Sequence, residues 1–340
     1  MAINLATKYS DKIAQMYTIG SLVSDKTSKE WDFSGVKSVK IYTPQTVEPT
    51  DYLREGTSRY GTPVEMGDVV QEMTMTQDKS FSLIIDKGNN SEQALCKNAG
   101  KMLKLQTNER MVPMVDKYAL KRFNMMAGTV AFSEKPTKST IISKVGDAAA
   151  VLDDACVPQD NRYLYITGEM YNLLRQTSEF LGIETLGEKA LAKGVIGEVF
   201  GMKIVKVPTS YMPKGTYFIV THKDAVIVPY KIKDAKVHSD PPGISGALLE
   251  GRSNFDAFVI GARCMGVFAL VDKAYEVTAP VIERSGDTVS ITGEGDIFYT
   301  TDGTDPRYSD SREKYAGEFV SSGEVKAFCH KEVYSSVATA

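Results

Sequence analysis

The sequence predicts an α+β protein with a small all-β unit at its C-terminal end. Residues 90–124 are predicted to form one long helix, because Asn90 and Gln93 have capping-box spacing and apolar residues then recur at helical intervals. Before this helix apolar and polar residues alternate as they do in strands, and after it helical and strand patterns are mixed. Beyond residue 275 only short alternating stretches with Gly and Asp turns follow. The chain therefore divides into residues 1–275 and a β module of residues 276–340.

The composition is that of an ordinary folded protein, with 42% hydrophobic and 24% charged residues among 340. No apolar run approaches the ~18 residues of a membrane span, and the first residues have neither a basic leader nor an apolar signal core. We therefore expect that the protein has no membrane partner and that it assembles in the cytoplasm in which it is made. Four scattered cysteines without a CxxC pair indicate reduced, packed thiols.

The charge is unevenly spread along the chain. The β module carries 12 acidic and 6 basic residues, a net charge of −6, which leaves +3 for residues 1–275. Neither part has the basic stripe of a protein that grips nucleic acid through its phosphates. Contact with DNA, if present, is expected to be weak and non-specific.

No motif for an enzyme is found, since GxxxxGK[ST], GxGxxG, GxSxG and HExxH are all absent. The carboxylate pairs Asp153–Asp154 and Glu179 with Glu184 have the chemistry of glycoside hydrolysis but lie in stretches typical of exposed polar faces. The DGTDP run at Asp302 lacks the spaced oxygen ligands of a calcium loop and predicts a tight turn. We expect no catalytic residue, cofactor or metal.

An arm and an exposed loop precede the long helix. Residues 1–20 place four apolar side chains on one face of a short helix, and GVKSVKIYTP has a strand pattern. Residues 45–68 are rich in Pro, Gly, Thr and charge, which predicts an exposed loop of defined shape.

A hairpin is predicted next. Met73 and Met75 alternate with threonines, residues 77–79 suit a turn, and Phe81 and Leu83 continue the alternation. Because an isolated two-stranded hairpin is marginal in water, its apolar face should lie on its own core or on another subunit.

Beyond the helix, which Pro113 should kink or break, the pattern becomes mixed α/β. A helical stripe follows Ser139, and strands are predicted at residues 162–167, 202–207 and 217–221. Residues 253–271 are almost continuously apolar and predict a long, bent, buried strand or strand pair.

The order of these elements resembles the major capsid protein of tailed bacteriophages, the Hong Kong 97-type shell fold. The resemblance lies in WDFSGVKSVKIYTP, MTMTQDKSFSLIIDKGNNSEQ, QTNERMVPMVDKYALKRF, RYLYITGEMYNLL, GVIGEVFGMKIVKVP and LEGRSNFDAFVIGARCMGVFALV, which span most of residues 30–272. Separately, GDIFYTTDGTDP and EVKAFCHKEVYSSVATA resemble the chitobiase/β-hexosaminidase C-terminal type of immunoglobulin-like module.

The first resemblance implies a virion protein, assembled as hexamers and pentamers of an icosahedral shell around packaged double-stranded DNA. It implies an N-terminal arm over residues 1–49, an extended loop over 50–87, a spine helix over 90–124 and an axial domain over about 155–250. A separate scaffolding protein and a portal are the implied partners. The module would face outward and could bind host-surface carbohydrate. The expected inter-subunit contacts are Met73, Met75, Lys79, Phe81 and Leu83.

Two other functions stay open at this point. An encapsulin-like compartment shell shares the fold but stores enzyme cargo instead of a genome. Modules of the type that the C-terminal part resembles usually occur in chitinolytic proteins, which suggests a carbohydrate-active protein with an accessory β module.

Overall fold

The computed structural model describes residues 20–31, 33, 38–92, 98–177, 195–331 and 333–340. The predicted short helix within residues 1–20 lies almost entirely outside these ranges. The helices are α1 (Lys87–Glu92), α2 (Ala99–Gln106), α3 (Val112–Met125), α4 (Ile141–Asp154) and α5 (Gly168–Arg175). The strands before the C-terminal module are β1 (Ser38–Pro44), β2 (Asp68–Thr74), β3 (Gln77–Asp86), β4 (Thr129–Ser133), β5 (Arg162–Thr167), β6 (Val195–Val199), β7 (Met202–Val207), β8 (Thr216–His222), β9 (Val226–Ile227), β10 (Tyr230–Ser239), β11 (Gly246–Phe255), β12 (Phe258–Val259) and β13 (Val267–Asp272).

The largest sheet has six strands in the order β4-β13-β8-β5-β7-β6. It is mixed, since β13 runs parallel to β4 and β5 runs parallel to β7, whereas the other neighbours are antiparallel. All six residues of the central strand β5 are buried, including Arg162 and Thr167, as expected of a strand covered on both faces. Leu164 and Ile166 pack with α4 and α5, and Tyr163 and Tyr165 pack in the cluster that contains α3. Helices therefore cover both faces of this sheet.

The predicted hairpin between residues 73 and 85 is wrong. β2 and β3 form as strands, but they pair with different partners: β2 with β1, and β3 with β11 in the sheet β10-β11-β3. The chain crosses from one sheet to the other at residues 75–76. Alternation reports that a segment is a strand with two different faces, and it says nothing of which strand lies beside it.

The predicted continuous helix over residues 90–124 is also corrected. α1 already begins at Lys87, and Asn98 has an extended backbone whose side chain accepts a hydrogen bond from the Lys101 N–H at 3.2 Å, so α2 has its own N-cap. A π-helical turn (Thr107–Met111) then joins α2 to α3. None of the helices in the described part of the chain is long and apolar enough to cross a membrane.

The π turn accounts for the break expected at Pro113. Proline has no N–H, so the Glu109 carbonyl lacks the donor that a regular helix would supply four residues later. The backbone takes up a wider turn immediately before the proline, where the Val112 N–H donates to the Thr107 carbonyl. Pro113 itself lies in the first turn of α3, where proline is tolerated.

The apolar run over residues 253–271 is not one bent strand or a strand pair. It contains the end of β11, the short strand β12, a 3-10 helix (Gly261–Gly266) and β13. These strands belong to three different sheets. The strands in the run are mostly buried, whereas Ala262, Arg263 and Met265 of the 3-10 helix are exposed. Hydrophobicity alone does not show where a chain changes direction.

The C-terminal module has two antiparallel sheets. Its strands are β14 (Val281–Ser285), β15 (Thr288–Thr292), β16 (Asp296–Thr300), β17 (Glu313–Lys314), β18 (Phe319–Val320), β19 (Lys326–His330) and β20 (Ala338–Thr339). The sheet orders are β14-β15-β18 and β17-β16-β19-β20. Its buried residues join those around α3 in one hydrophobic cluster. The module is therefore packed against the rest of the chain.

The axial range of residues 155–250 contains strands of three sheets: β5 to β8 in the largest, β9 in the two-stranded sheet with β12, and β10 with part of β11 in the three-stranded one. Its boundaries, and those of the arm, loop and spine, stay predictions. Cys264 and Cys329 are buried as expected, whereas Cys156 is exposed.

Candidate subunit-contact surface

A long loop connects the first two strands. The β1–β2 ladder ends at the pair Pro44 and Asp68, and the Gln45 N–H donates to the Gly67 carbonyl at 2.8 Å. A hairpin is thus formed by β1 and β2, with residues 45–67 as its connection, and not by residues 73–85. The predicted exposed loop over residues 45–68 is confirmed, since nearly all of it is exposed.

This loop is held together by its own contacts. The Leu53 N–H donates to the Arg59 carbonyl at 3.0 Å, and the ring of Tyr52 meets the ring of Tyr60 edge-on with centroids 5.0 Å apart. Gly61 has a φ of +79°, a conformation that glycine adopts without strain. The loop therefore has a defined shape although few of its atoms are buried.

Large apolar side chains on this loop face solvent. The exposed fractions are 61% for Val47, 51% for Tyr52, 56% for Leu53, 87% for Tyr60, 66% for Val64 and 64% for Met66. We call these six side chains the loop surface. Single exposed apolar residues are normal, but six on one 23-residue loop are characteristic of a surface that another protein covers.

Met73 and Met75, predicted to contact another subunit, are buried within this chain. Their exposed fractions are 0% and 3%, and they pack in a cluster with Phe33, Ile41, Ile227, Phe258 and Ile260. In this conformation neither side chain has surface to offer a second copy. The apolar face of these residues thus lies on its own core.

Lys79, Phe81 and Leu83 lie on β3, an outer strand of the three-stranded sheet. Lys79 is exposed, Phe81 is half-buried, and Leu83 is 38% exposed beside Ile84 at 60%. A contact between these residues and another subunit stays a prediction. Their accessibility permits it, unlike that of the two methionines.

Phe81 is seated directly over Gly251 of β11. A Cβ placed at Gly251 would lie 2.3 Å from Cε1 of the Phe81 ring. We expect Gly251→Ala to push the ring outward and to lower the free energy of unfolding by about 1–2 kcal/mol. Denaturant titration checks this, with Gly317→Ala as the control because a Cβ at Gly317 meets no atom within 4 Å. Equal midpoints for both variants would contradict the prediction, and Phe81→Ala should relieve the effect of Gly251→Ala.

Charged side chains run across the three-stranded sheet. Arg252 of β11 donates to Asp78 of β3 at 2.9 Å, and this hydrogen bond lowers the pKa of Asp78. Lys236 of β10 pairs with Asp234 at 3.2 Å. Charges on the outer strands of a sheet discourage further strands from pairing there. Contacts at this sheet are therefore expected to use side chains instead of added strands.

A buried carboxylate, Asp256, ties the β2–β3 crossing to α3. One oxygen accepts from the Thr76 N–H and hydroxyl, both at 2.8 Å, and the other accepts from the Tyr118 hydroxyl at 2.9 Å and the Ala257 N–H at 2.8 Å. Arg122 Nε lies 3.9 Å away. The side chain is 1% exposed, so its charge is held by these donors. Asp256 thus fixes where the chain passes from one sheet to the other.

A second buried carboxylate, Asp116, holds the arm on α3. It accepts from the Ser21 hydroxyl and the Leu22 N–H, both at 2.7 Å. Burial raises the pKa of Asp116, and the hydrogen bonds from Leu22 and Ser21 oppose that rise. Asp116 therefore helps to anchor the N-terminal arm from residue 20 onward to α3, beside the packing of Leu22 and Val23 in the cluster that contains α3.

The raised pKa of Asp116 predicts a pH dependence. A carboxyl whose pKa is higher in the folded than in the unfolded chain binds more protons when folded, so stability falls as pH rises from about 4 through the folded-state value. Asp116→Asn cannot titrate and should lose less stability over the same range. Denaturation at several pH values between 4 and 7 measures the difference. Parallel stability curves for the two proteins would show that Asp116 contributes no such dependence.

The other predicted candidates do not form a site. Asp153 is in an ion pair with the buried Arg162 at 2.7 Å, and Glu179 and Glu184 lie outside the described residues. Asp302 accepts hydrogen bonds from Thr304 and Ser311 of its own loop, as the predicted tight turn requires. Among the residues that the structure describes, no three His, Cys, Asp or Glu side chains are grouped to hold a metal ion.

Solved structures of phage proteins share this fold. A chain from Mycobacterium phage Che8 matches with a TM-score of 0.63 and 18% identity, covering 79% of this chain and 98% of the other. The capsid structure of cyanophage P-SCSP1u matches with a TM-score of 0.63 and 15% identity over 79% and 93%. The acidic stable capsid structure of Helicobacter pylori bacteriophage KHP30 matches with a TM-score of 0.55 and 12% identity over 79% and 95%.

At these identities the similarity establishes the fold. The mixed helix-and-strand capsid fold that the sequence predicts is therefore confirmed, whereas the immunoglobulin-like character of the module stays a prediction. No protein-family model matches the sequence, and comparison with curated proteins finds no match.

Proposed function

We propose that this chain is the major subunit of an icosahedral phage head, assembled as hexamers and pentamers around double-stranded DNA. The observation that carries the proposal is the loop surface: six exposed apolar side chains on a shaped loop at the end of the β1–β2 hairpin. Closed shells need broad contacts repeated by symmetry, and such a loop gives each subunit one apolar contact to offer its neighbour.

The fold supports the same function. Two of the matched structures are described as capsid structures, and more than nine-tenths of each matched chain is covered. About a fifth of this chain is left unmatched, the share that residues 276–340 make up. This supports a shell protein with an appended module, which we place on the outer surface of the shell.

The partners follow from the same proposal. A separate scaffolding protein and a portal would guide assembly, and the subunit would reside in the virion after assembly in the host cytoplasm. With a net charge of +3, residues 1–275 suit weak, non-specific contact with packaged DNA. The module could bind host-surface carbohydrate, which adhesion of assembled shells to host cells with and without competing polysaccharide would test.

Electron microscopy with light scattering, on the protein expressed alone and with its genomic neighbours, tests the proposal. We expect closed shells, tubes or hexamer-sized rings. A stable 37.3 kDa monomer under both conditions would overturn the proposal. Shells that enclose proteins instead of DNA would favour the compartment function over the phage head.

A further inference from the structure

The C-terminal module supplies partners to the last carbonyls of α3. The final carbonyls of a helix lack donors within the helix and must be satisfied from elsewhere. Here the Tyr334 N–H donates to the Met125 carbonyl at 3.3 Å, and the Tyr308 hydroxyl donates to the Met126 carbonyl at 2.9 Å. Just beyond α3, Arg307 Nη1 donates to the Gly128 carbonyl at 3.0 Å. Three module residues thus cap the end of α3.

The side chain of Arg307 is oriented for this contact by Asp305 of the same loop. Asp305 accepts hydrogen bonds from Nε of Arg307 at 3.1 Å and from Nη2 at 2.7 Å, so the guanidinium plane is fixed. The Arg307 side chain is 12% exposed. A positive charge at the carboxyl end of a helix also interacts favourably with the helix dipole. We call residues 305–310 the docking loop.

The same loop reaches the middle of the β1–β2 hairpin, which we call the β1–β2 arm. The Asp310 N–H donates to the Val70 carbonyl of β2 at 3.2 Å, and the Asp310 carboxylate is 3.2 Å from Nζ of Lys40 on β1. Lys40 also lies 3.6 Å from Glu72 of β2. The docking loop therefore touches both strands of the arm.

A third contact completes the arrangement. A Cβ placed at Gly261 would lie 2.7 Å from the Cβ of Tyr308, so the close approach requires a glycine there. The Gly261 N–H donates to Gln71 of β2 at 2.8 Å, and the Gln71 amide donates to the Val259 carbonyl at 2.9 Å. Docking loop, Gly261 turn and β2 form one packed unit.

We propose that the C-terminal module is an intramolecular clamp that fixes the β1–β2 arm against the end of α3. Within the described part of the chain the two strands of the arm pair only with each other, and a two-stranded sheet has little stability alone. The clamp holds the middle of the arm, and the hydrogen bonds from Thr76 to Asp256 hold the chain where it leaves β2. The direction in which the loop surface projects is thereby set within one subunit. This role is additional to the proposed shell function and does not depend on it.

Hydrogen exchange on the unassembled full-length chain tests the clamp. Arg307→Ala removes the donor to Gly128, and we expect amides of residues 38–43 and 68–74 to exchange about tenfold faster, as loss of a charged hydrogen bond implies. The matched control is Arg284→Ala, because Arg284 bonds the carbonyls of Ser321, Gly323 and Ala340 within the module.

A milder pair of variants covers the case in which Arg307→Ala does not fold. Tyr308→Phe removes only the hydroxyl that donates to Met126, and Tyr315→Phe removes a hydroxyl that accepts from Ile291 inside the module. The clamp predicts faster exchange in the arm for Tyr308→Phe alone. Unchanged arm exchange in both docking variants, or equal increases in the controls, would overturn it. Because no assembly is measured, this result is separate from the outcome of the electron microscopy.

Discussion

Asp256→Ala is expected to lower the free energy of unfolding by about 3 kcal/mol or more. The substitution leaves two main-chain N–H groups and two hydroxyls without the acceptor that now joins them. Each buried donor left without a partner costs about 1–3 kcal/mol. Because these donors belong to Thr76, Tyr118 and Ala257, the β2–β3 crossing, α3 and the segment after β11 should all loosen together. Chemical denaturation followed by circular dichroism measures the loss.

Two further variants make this result specific. Asp256→Asn keeps one acceptor oxygen but turns an NH₂ toward the other donors, so its loss should fall between wild type and Asp256→Ala. Asp234→Ala removes an exposed carboxylate paired with Lys236 and should change stability by less than about 0.5 kcal/mol. If Asp256→Ala behaves as Asp234→Ala does, the hydrogen-bond network around Asp256 does not stabilise the fold.

The sequence predicts the strands near the arm but not their neighbours. Alternation at residues 73–85 correctly indicates two strands, and the Pro and Gly pattern correctly indicates the exposed loop before them. The partner of β3 is β11, more than 150 residues away in the chain. Pairing over such distances depends on which apolar faces are buried together. Two strands that follow each other in the chain, as β2 and β3 do, therefore need not be joined by a hairpin turn.

The two buried carboxylates could be suspected from the sequence, but their roles could not. Asp256 interrupts an almost continuous apolar run, and Asp116 stands among the apolar positions of a helix. A carboxylate in such a setting needs donors. The donors come from Thr76, Tyr118 and Leu22 of the N-terminal arm. These residues are distant in sequence from the carboxylates, so only the structure identifies them.

The module boundary near residue 276 stays a prediction from the change in composition, and the first strand after it, β14, starts at Val281. The docking of the module could not. DGTDP indicates a turn, yet the residues that hold the module, Arg307 and Tyr308, follow that motif and have no pattern of their own. These two residues hold the module because they donate to carbonyls at the end of α3 that have no donor within the helix. Those carbonyls lie some 180 residues earlier in the chain.

Replacement of residues 46–66 by Asn-Gly should abolish shell formation while leaving the subunit folded. Gln45 and Gly67 already form the last hydrogen-bonded pair of the arm, and Asn-Gly suits the two-residue turn that would then join them. The six side chains of the loop surface disappear with the loop. Since burying one such side chain contributes about 1.5–3 kcal/mol, a subunit without them should lose several kcal/mol at each contact. We expect at least a tenfold lower yield of closed shells by electron microscopy at equal protein concentration.

Stability distinguishes a contact surface from a structural loop. The hydrogen bonds and ring contact that shape residues 46–66 lie within that segment, so the shortened chain should unfold at nearly the same denaturant concentration as wild type. A Tyr60→Ser variant, which keeps the loop but removes its most exposed ring, should reduce the yield less than the replacement does. Wild-type yields of shells from the shortened chain would show that neighbouring subunits meet elsewhere. A large loss of stability would instead assign the loop to the folding of its own subunit.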